Sequence, residues 1–205
     1  MIRSSEPSDA ELLERSVRGD EAAFLTLYRR FQGPVFRFAM QMSGSRGIAE
    51  DVTQEVFLAL ARDGSRFDPA KGSLQSYLFG VTRNQVLRRF DKRATLVSID
   101  EERDGGNPLG GAQAATDQHG DLARSQTVEI VRRAVQSLPV NYREVVVLCD
   151  LQELSYEDAA AALECAVGTV RSRLHRARAM LAERLQFVRE VSPEASRGAT
   201  TRYVV

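Results

Sequence analysis

The stretch Leu154–Leu181, LSYEDAAAALECAVGTVRSRLHRARAML, decides how the C-terminal half is read. Ser155 followed three residues later by Asp158 forms a capping box that opens the helix SYEDAAAAL. The three residues Glu164, Cys165 and Ala166 make a tight turn. A second helix follows, VGTVRSRLHRARAMLAERL, with Val167, Val170, Leu174, Ala177 and Leu181 inward at helical spacing. Helix, short turn, helix is the helix-turn-helix plan. The alanines of its first helix let two helices approach closely. The second carries Arg171, Arg173, Arg176 and Arg178 with no acidic residue between Val167 and Leu181. Arg171, Ser172, His175 and Arg176 fall on its outward face. A major groove about 12 Å wide admits such a helix, where arginine reads guanine edges and arginine or serine holds phosphate. A solvated basic helix in a plain bundle is the competing reading of the arginines alone.

Working outward, Leu122–Ser137 shows a helical apolar stripe and ends at Pro139. Tyr142–Leu148 contains VVVL, which suits a strand equally well; its short spacing before the next helix favours helix. Upstream, residues 97–121 include DGGNPLGGAQAATDQHG, which has no periodicity. Residues 97–127 hold six acidic side chains against Arg103 and Arg124. This composition reads as a flexible acidic linker.

The N-terminal half reads as wholly helical. Ser8 and Glu11 form a capping box for a short helix ending near Gly19. Asp20 caps a long helix with Phe24, Leu27, Tyr28, Phe31, Val35, Phe38 and Met42 on one face, expected to kink at Gly33-Pro34. A third helix covers about 48–61, the segment DGSRFDPAKGS is a loop, and Ser73 caps LQSYLFGVTRNQVLRRFDKR. The fold class is therefore all-α: two small helical domains, 8–96 and 122–190, joined by the linker 97–121. The tail 191–205 is expected to be disordered.

Two further patterns stand out. Arg83, Arg88, Arg89, Lys92 and Arg93 interleave with Phe67, Tyr77, Phe79 and Phe90. Cations with stacking rings suit single-stranded nucleic acid, or are core aromatics beside a solvated helix end. Asp51, Gln54, Glu55 and Leu58 form a row opposite the buried stripe of the third helix: a solvated face, or a dock for a basic helical partner.

Length and charge set the outer bounds. The chain has 205 residues, 28 basic and 28 acidic, so its net charge is zero and electrostatic recognition must be local. Cys149 and Cys165, with His119 and His175, are too few for a disulfide framework or an ordinary zinc site. There is no P-loop, GxGxxG or HExxH motif, so neither catalysis nor a metal or other cofactor is expected. No apolar run approaches the ~18 residues of a membrane span, and the N-terminus lacks a signal core, so no membrane insertion and a cytoplasmic location are expected.

DVTQEVFLAL (51–60), FDPAKGSLQSYLFGVTRNQVLRRFDKR (67–93) and SLPVNYREVVVLCDLQELSYEDAAAALECAVGTVRSRLHRARAML (137–181) resemble bacterial RNA polymerase sigma factors of the extracytoplasmic-function group. The likeness covers about Asp9–Leu185 in the family's order. It implies that the first domain is sigma region 2 and the second is region 4. Core polymerase is then the implied partner through the clamp helices and flap, with Asp51, Gln54 and Glu55 on the clamp helices. Promoter DNA is the second implied partner. The resemblance places −10 recognition and melting at Arg66, Phe67, Lys71, Ser73, Tyr77, Asn84 and Arg88. It places −35 duplex readout at Arg171, Ser172, His175 and Arg176, with Arg178 on phosphate. It also implies an anti-sigma factor as a partner. Two departures from the family pattern are Ala166, where many members have Pro, and the lack of Trp, with Tyr77 and Leu78 standing near the start of the region-2 helix. The alternative function is a free-standing helix-turn-helix regulator. Such a regulator usually dimerises, and the chain shows no heptad seam.

Overall fold

The computed structural model describes residues 7–100 and 122–191, so the linker core 101–121 and the tail 192–205 lie outside the described residues. Among the described residues eight α-helices run in order: α1 (Asp9–Val17), α2 (Glu21–Ser43), α3 (Arg46–Asp63), α4 (Leu74–Asp100), α5 (Leu122–Gln136), α6 (Val140–Val146), α7 (Tyr156–Ala162) and α8 (Val167–Val191). No strand occurs among the described residues.

Local chemistry explains the helix ends. The Ser8 backbone N–H donates to Glu11 at 2.8 Å and the Ser8 hydroxyl accepts from the Glu11 N–H, completing the capping box of α1. Gly19, at φ +95°, turns the chain into α2, where the Asp20 carboxylate accepts the Ala23 N–H at 3.0 Å. The α2 helix is continuous through Pro34. Two single 3-10 turns, Gly64–Arg66 and Pro69–Lys71, occupy the loop before α4. The VVVL segment is helical, and α6 passes into a π turn over Val147–Leu151.

The first half is a bundle of α1–α4 around large side chains. Leu27, Phe38, Met42, Leu78 and Phe79 are fully buried, and the Phe38 and Phe79 rings meet at 5.0 Å. The second half packs α5–α8 around Leu138, Val145–Leu148, Val170 and Leu174, with Ala159, Ala160, Ala162 and Ala177 where helices cross.

The two halves pack against each other, a feature absent from the sequence reading of two tethered domains. Helix α7 lies on α4, and α5, α6 and the π turn meet α2. A Cβ placed on Gly80 would lie 3.2 Å from the Ala162 carbonyl oxygen, so a side chain here would press α4 and α7 apart by a few tenths of an ångström. The Arg143 guanidinium donates to the Met42 carbonyl at the end of α2 at 2.7 Å. The Arg83 Nε donates to the Glu144 carboxylate at 2.6 Å, and Glu144 is only 1% exposed.

Candidate nucleic-acid interface

Three surfaces gather the residues singled out from sequence. The first is on α3. Asp51, Gln54, Glu55 and Leu58 are all exposed, and their steps of three, one and three residues keep them on one face at about 100° per residue. Glu55 is held from α4 by a two-pronged ion pair with Arg89, at 2.8 and 3.2 Å. The row borders a cleft between α2 and α3, about 950 Å³ in volume, whose lining includes Tyr28, Arg37, Gln54, Phe57 and Leu58. Leu58 is 60% exposed. Sequence reasoning found the row but missed the cleft, which needs the aromatic side of α2 and the polar side of α3 to be adjacent.

The second surface joins the 64–73 loop to α4. Arg66 and Lys71 are exposed and lie near Asp63 and Asp68, at 3.7 and 3.9 Å. Phe67 is half-buried and meets the Tyr77 ring edge-on at 5.6 Å, which anchors the loop to the helix. Tyr77, Asn84 and Arg88 are seven and four residues apart, so they line one face of α4. Asn84 and Arg88 are exposed. Ser73 is engaged elsewhere: its hydroxyl caps α4 by accepting the Ser76 N–H at 3.2 Å and donates to Asp158 of α7 at 2.7 Å. Lys92 and Arg93 have no described side chains.

The third surface is the helix-turn-helix. The Ser155 hydroxyl accepts the Asp158 N–H at 3.0 Å, starting α7. Glu164, at φ +51°, makes the turn, and α8 begins at Val167. Val170, Leu174 and Ala177 are buried and Arg171, Ser172, His175, Arg176 and Arg178 are exposed; at about 100° per residue Ser172, His175 and Arg176 lie on the outer side, whereas Arg171 and Arg178 flank the buried stripe. The Arg171 guanidinium lies 5.7 Å from the centre of the Tyr156 ring, within cation–π reach. Arg178 forms a two-pronged pair with Asp150 of the π turn, at 2.5 and 3.1 Å, and the hydrogen bond to that carboxylate raises the Arg178 pKa. Arg178 therefore shares its charge with Asp150 in this structure.

Cys149 and Cys165 are unpaired and half-buried, and burial, chiefly, pushes the Cys149 thiol up to about 11. No cluster of His, Cys, Asp or Glu able to hold a metal occurs among the described residues. No helix among them is long and apolar enough to cross a membrane.

Residues 27–95 match the Sigma-70 region 2 family model and residues 129–181 match Sigma-70, region 4. These spans enclose most of α2–α4 and α5–α8, so the family boundaries coincide with the two packed halves. The chain is 35% identical over 185 residues to the ECF RNA polymerase sigma factor SigM of Mycobacterium tuberculosis, covering 89% of this chain and 87% of that one. It is 33% identical over 189 residues to the ECF RNA polymerase sigma-E factor of Escherichia coli K12, covering 89% and 97%. Among solved structures it is similar to the sigma factor RpoE of Bartonella quintana, determined in complex with the anti-sigma factor NepR. That match has a TM-score of 0.67, 27% identity and covers 80% of this chain and 96% of that one. With both sigma regions in order and full-length relatives aligned across both halves, the chain belongs to the extracytoplasmic-function RNA polymerase sigma factors.

Proposed function

We propose that this sigma factor directs promoter-specific initiation through the three surfaces in a fixed division of labour. The α3 row of Asp51, Gln54 and Glu55, with Leu58 beside it, docks on the clamp helices of core polymerase, and the second half meets the flap. Arg66, Phe67, Lys71, Ser73, Tyr77, Asn84 and Arg88 handle the −10 element. A base leaving the duplex loses stacking worth a few kcal/mol, which a ring such as Tyr77 and an amide such as Asn84 are suited to restore. Arg171, Ser172, His175 and Arg176 read the −35 duplex from the major groove, and Arg178 reaches phosphate after leaving Asp150. No bond is made or broken by the chain itself, and no cofactor is required. Its place of action is the cytoplasm, where core polymerase works, and an anti-sigma factor is its natural antagonist.

The observation that carries this reading is the exposed α8 face set against the buried Val170, Leu174 and Ala177. The deciding experiment is reconstitution. Core polymerase plus this chain should start transcripts at one position on a promoter selected from a library, and permanganate should mark melted thymines near −10. Polymerase that starts no more often with the chain than without it would refute the proposal. The alternative of a free-standing regulator predicts tight two-site duplex binding by a dimer without polymerase.

A further inference from the structure

Two arginines flank the buried stripe of α8 on the same side, and different chemistry holds each. Arg171 and Arg178 are seven residues apart, so they lie within about 20° of each other around the helix and about 10 Å apart along it. Arg171 rests over the Tyr156 ring, 5.7 Å from its centre. That partner is neutral and leaves the charge in place. Arg178 donates its Nε–H and a terminal N–H to the two Asp150 oxygens, at 3.1 and 2.5 Å. That partner is an anion and cancels the charge. Arg171, Arg173 and Arg176 form no ion pair among the described residues.

Asp150 occupies the donors that DNA would use. A guanidinium binds carboxylate and phosphate through the same fork of two N–H groups. A helix lying in the major groove turns its outer side to the bases and its flanks to the phosphates along the groove. Arg178 stands on such a flank with its fork already filled.

The pair is placed to exchange, and its acid is placed to stay. The Arg178 and Asp150 side chains are 56% and 28% exposed, whereas Glu144, beneath Arg83, is 1% exposed. An exposed pair holds only a few-fold against water, so phosphate can displace the carboxylate without disturbing the core. Asp150 itself is anchored by the π turn. Val147 and Leu148 before it are buried, and the Gln152 and Leu154 N–H groups after it donate to the Val147 and Leu148 carbonyls at 2.9 and 3.0 Å.

We infer that Asp150 is a built-in competitor of the DNA backbone: it holds Arg178 until a phosphate displaces it, and so sets how tightly the second half grips duplex DNA of any sequence. The inference rests on the promoter-reading proposal above. Every sequence presents the same phosphates, so the competitor shortens residence on promoter and non-promoter duplex alike. The ratio between them is left to the outer face, where Ser172, His175 and Arg176 lie.

The test is a double-mutant cycle on the full chain: unaltered, Asp150→Asn, Arg178→Ala and both together. Asp150→Ala repeats the cycle with a second neutral residue. Circular dichroism and a urea melt check that each chain keeps its helices. Fluorescence anisotropy then measures binding to a duplex with the −35 sequence selected from a promoter library, and to a scrambled duplex. Low salt is used, where phosphate contacts weigh most. Asp150→Asn should tighten binding to both duplexes by about threefold or more. Arg178→Ala should cost about three- to fivefold more in the Asp150→Asn background than in the unaltered chain. Arg171→Ala, about 10 Å away on the same flank, should cost the same in both backgrounds within about twofold.

Weaker binding after Asp150→Asn would make the pair a structural grip on α8. An equal gain with Arg178 removed would make Asp150 a diffuse repulsive charge. A gain on the −35 duplex alone would make it part of base reading. Each of these outcomes overturns the inference. Binding with −35 preference but no coupling in the cycle removes the competitor and leaves promoter reading standing. If no folded form binds either duplex, the promoter-reading proposal fails, and the competitor with it.

Discussion

The halves of this sigma factor achieve similar helix packing with different materials. The first fills its interior with long side chains: Leu27, Phe31, Phe38, Met42, Phe57, Leu78 and Phe79 are buried, and its rings pair as Tyr28–Phe57 and Phe38–Phe79. The second has no buried Phe or Met among its described residues and uses valine, leucine and five alanines. Large cores hold helices apart and leave wide faces and a cleft, as on α3. Alanine-lined helices come close and concentrate charge on one narrow ridge, as on α8. A broad surface fits a protein partner, and a ridge fits a groove.

The largest expected effect tests the difference in cores. Phe38→Ala removes a fully buried ring and should cost about 3–5 kcal/mol in a urea melt, against about 2–3 for Leu174→Ala, the corresponding central residue of the second half. Equal losses would erase the contrast. Next comes the broad surface. Glu55→Lys loses an exposed pair with Arg89, worth at most about 1 kcal/mol to the fold. Placed against a basic partner it should weaken polymerase binding by roughly 2–3 kcal/mol, read by co-purification, while −35 duplex binding is untouched. Arg171→Ala should do the reverse, costing about 1–3 kcal/mol of discrimination at one −35 base pair with polymerase binding retained, measured by sequencing a bound promoter pool. If both variants impair the same step, the two surfaces do not have separate partners.

Smaller effects probe the helix starts. Ser155→Ala removes the α7 cap and should destabilise by about 1 kcal/mol, mainly in the second half, as amide exchange would show. The smallest concerns Glu129, whose pKa falls from 4.5 to about 2, chiefly through its hydrogen bond from Arg132, and also through Arg133. A carboxylate with a depressed folded pKa adds stability that is present above the unfolded value and lost as pH falls toward 2. Glu129→Gln should therefore flatten acid stability between about pH 4.5 and 2 by a few tenths of a kcal/mol per pair, measured by pH-dependent melts.

The helices and their caps could be read directly, because Ser8, Asp20, Ser73 and Ser155 are local signals that act within one turn. The α8 face could be read too, since Val170, Leu174 and Ala177 repeat at helical spacing. The contact between the halves could not. Ser73 and Asp158 each serve a local purpose as a helix-start residue, and nothing in either motif says that they share a hydrogen bond across 85 positions. Nothing in the sequence sets Gly80 of α4 against Ala162 of α7. The sequence assigns Arg178 to phosphate and gives no sign that the π turn sets Asp150 beside it. VVVL reads as strand or helix because an apolar run carries no period.

The π turn at Val147–Leu151 has a consequence for chain length. Its winding holds one residue more than a regular helix would over the same rise. Deleting Cys149 would restore regular winding without cutting the helix, and would swing Asp150 by roughly half of the ~100° of one regular residue, because the tighter winding offsets part of the loss, drawing it from Arg178. An insertion or deletion is absorbed here at the price of one ion pair. The grip on α8 can therefore be retuned by the number of residues in this turn, with every side chain on its exposed face left as it is.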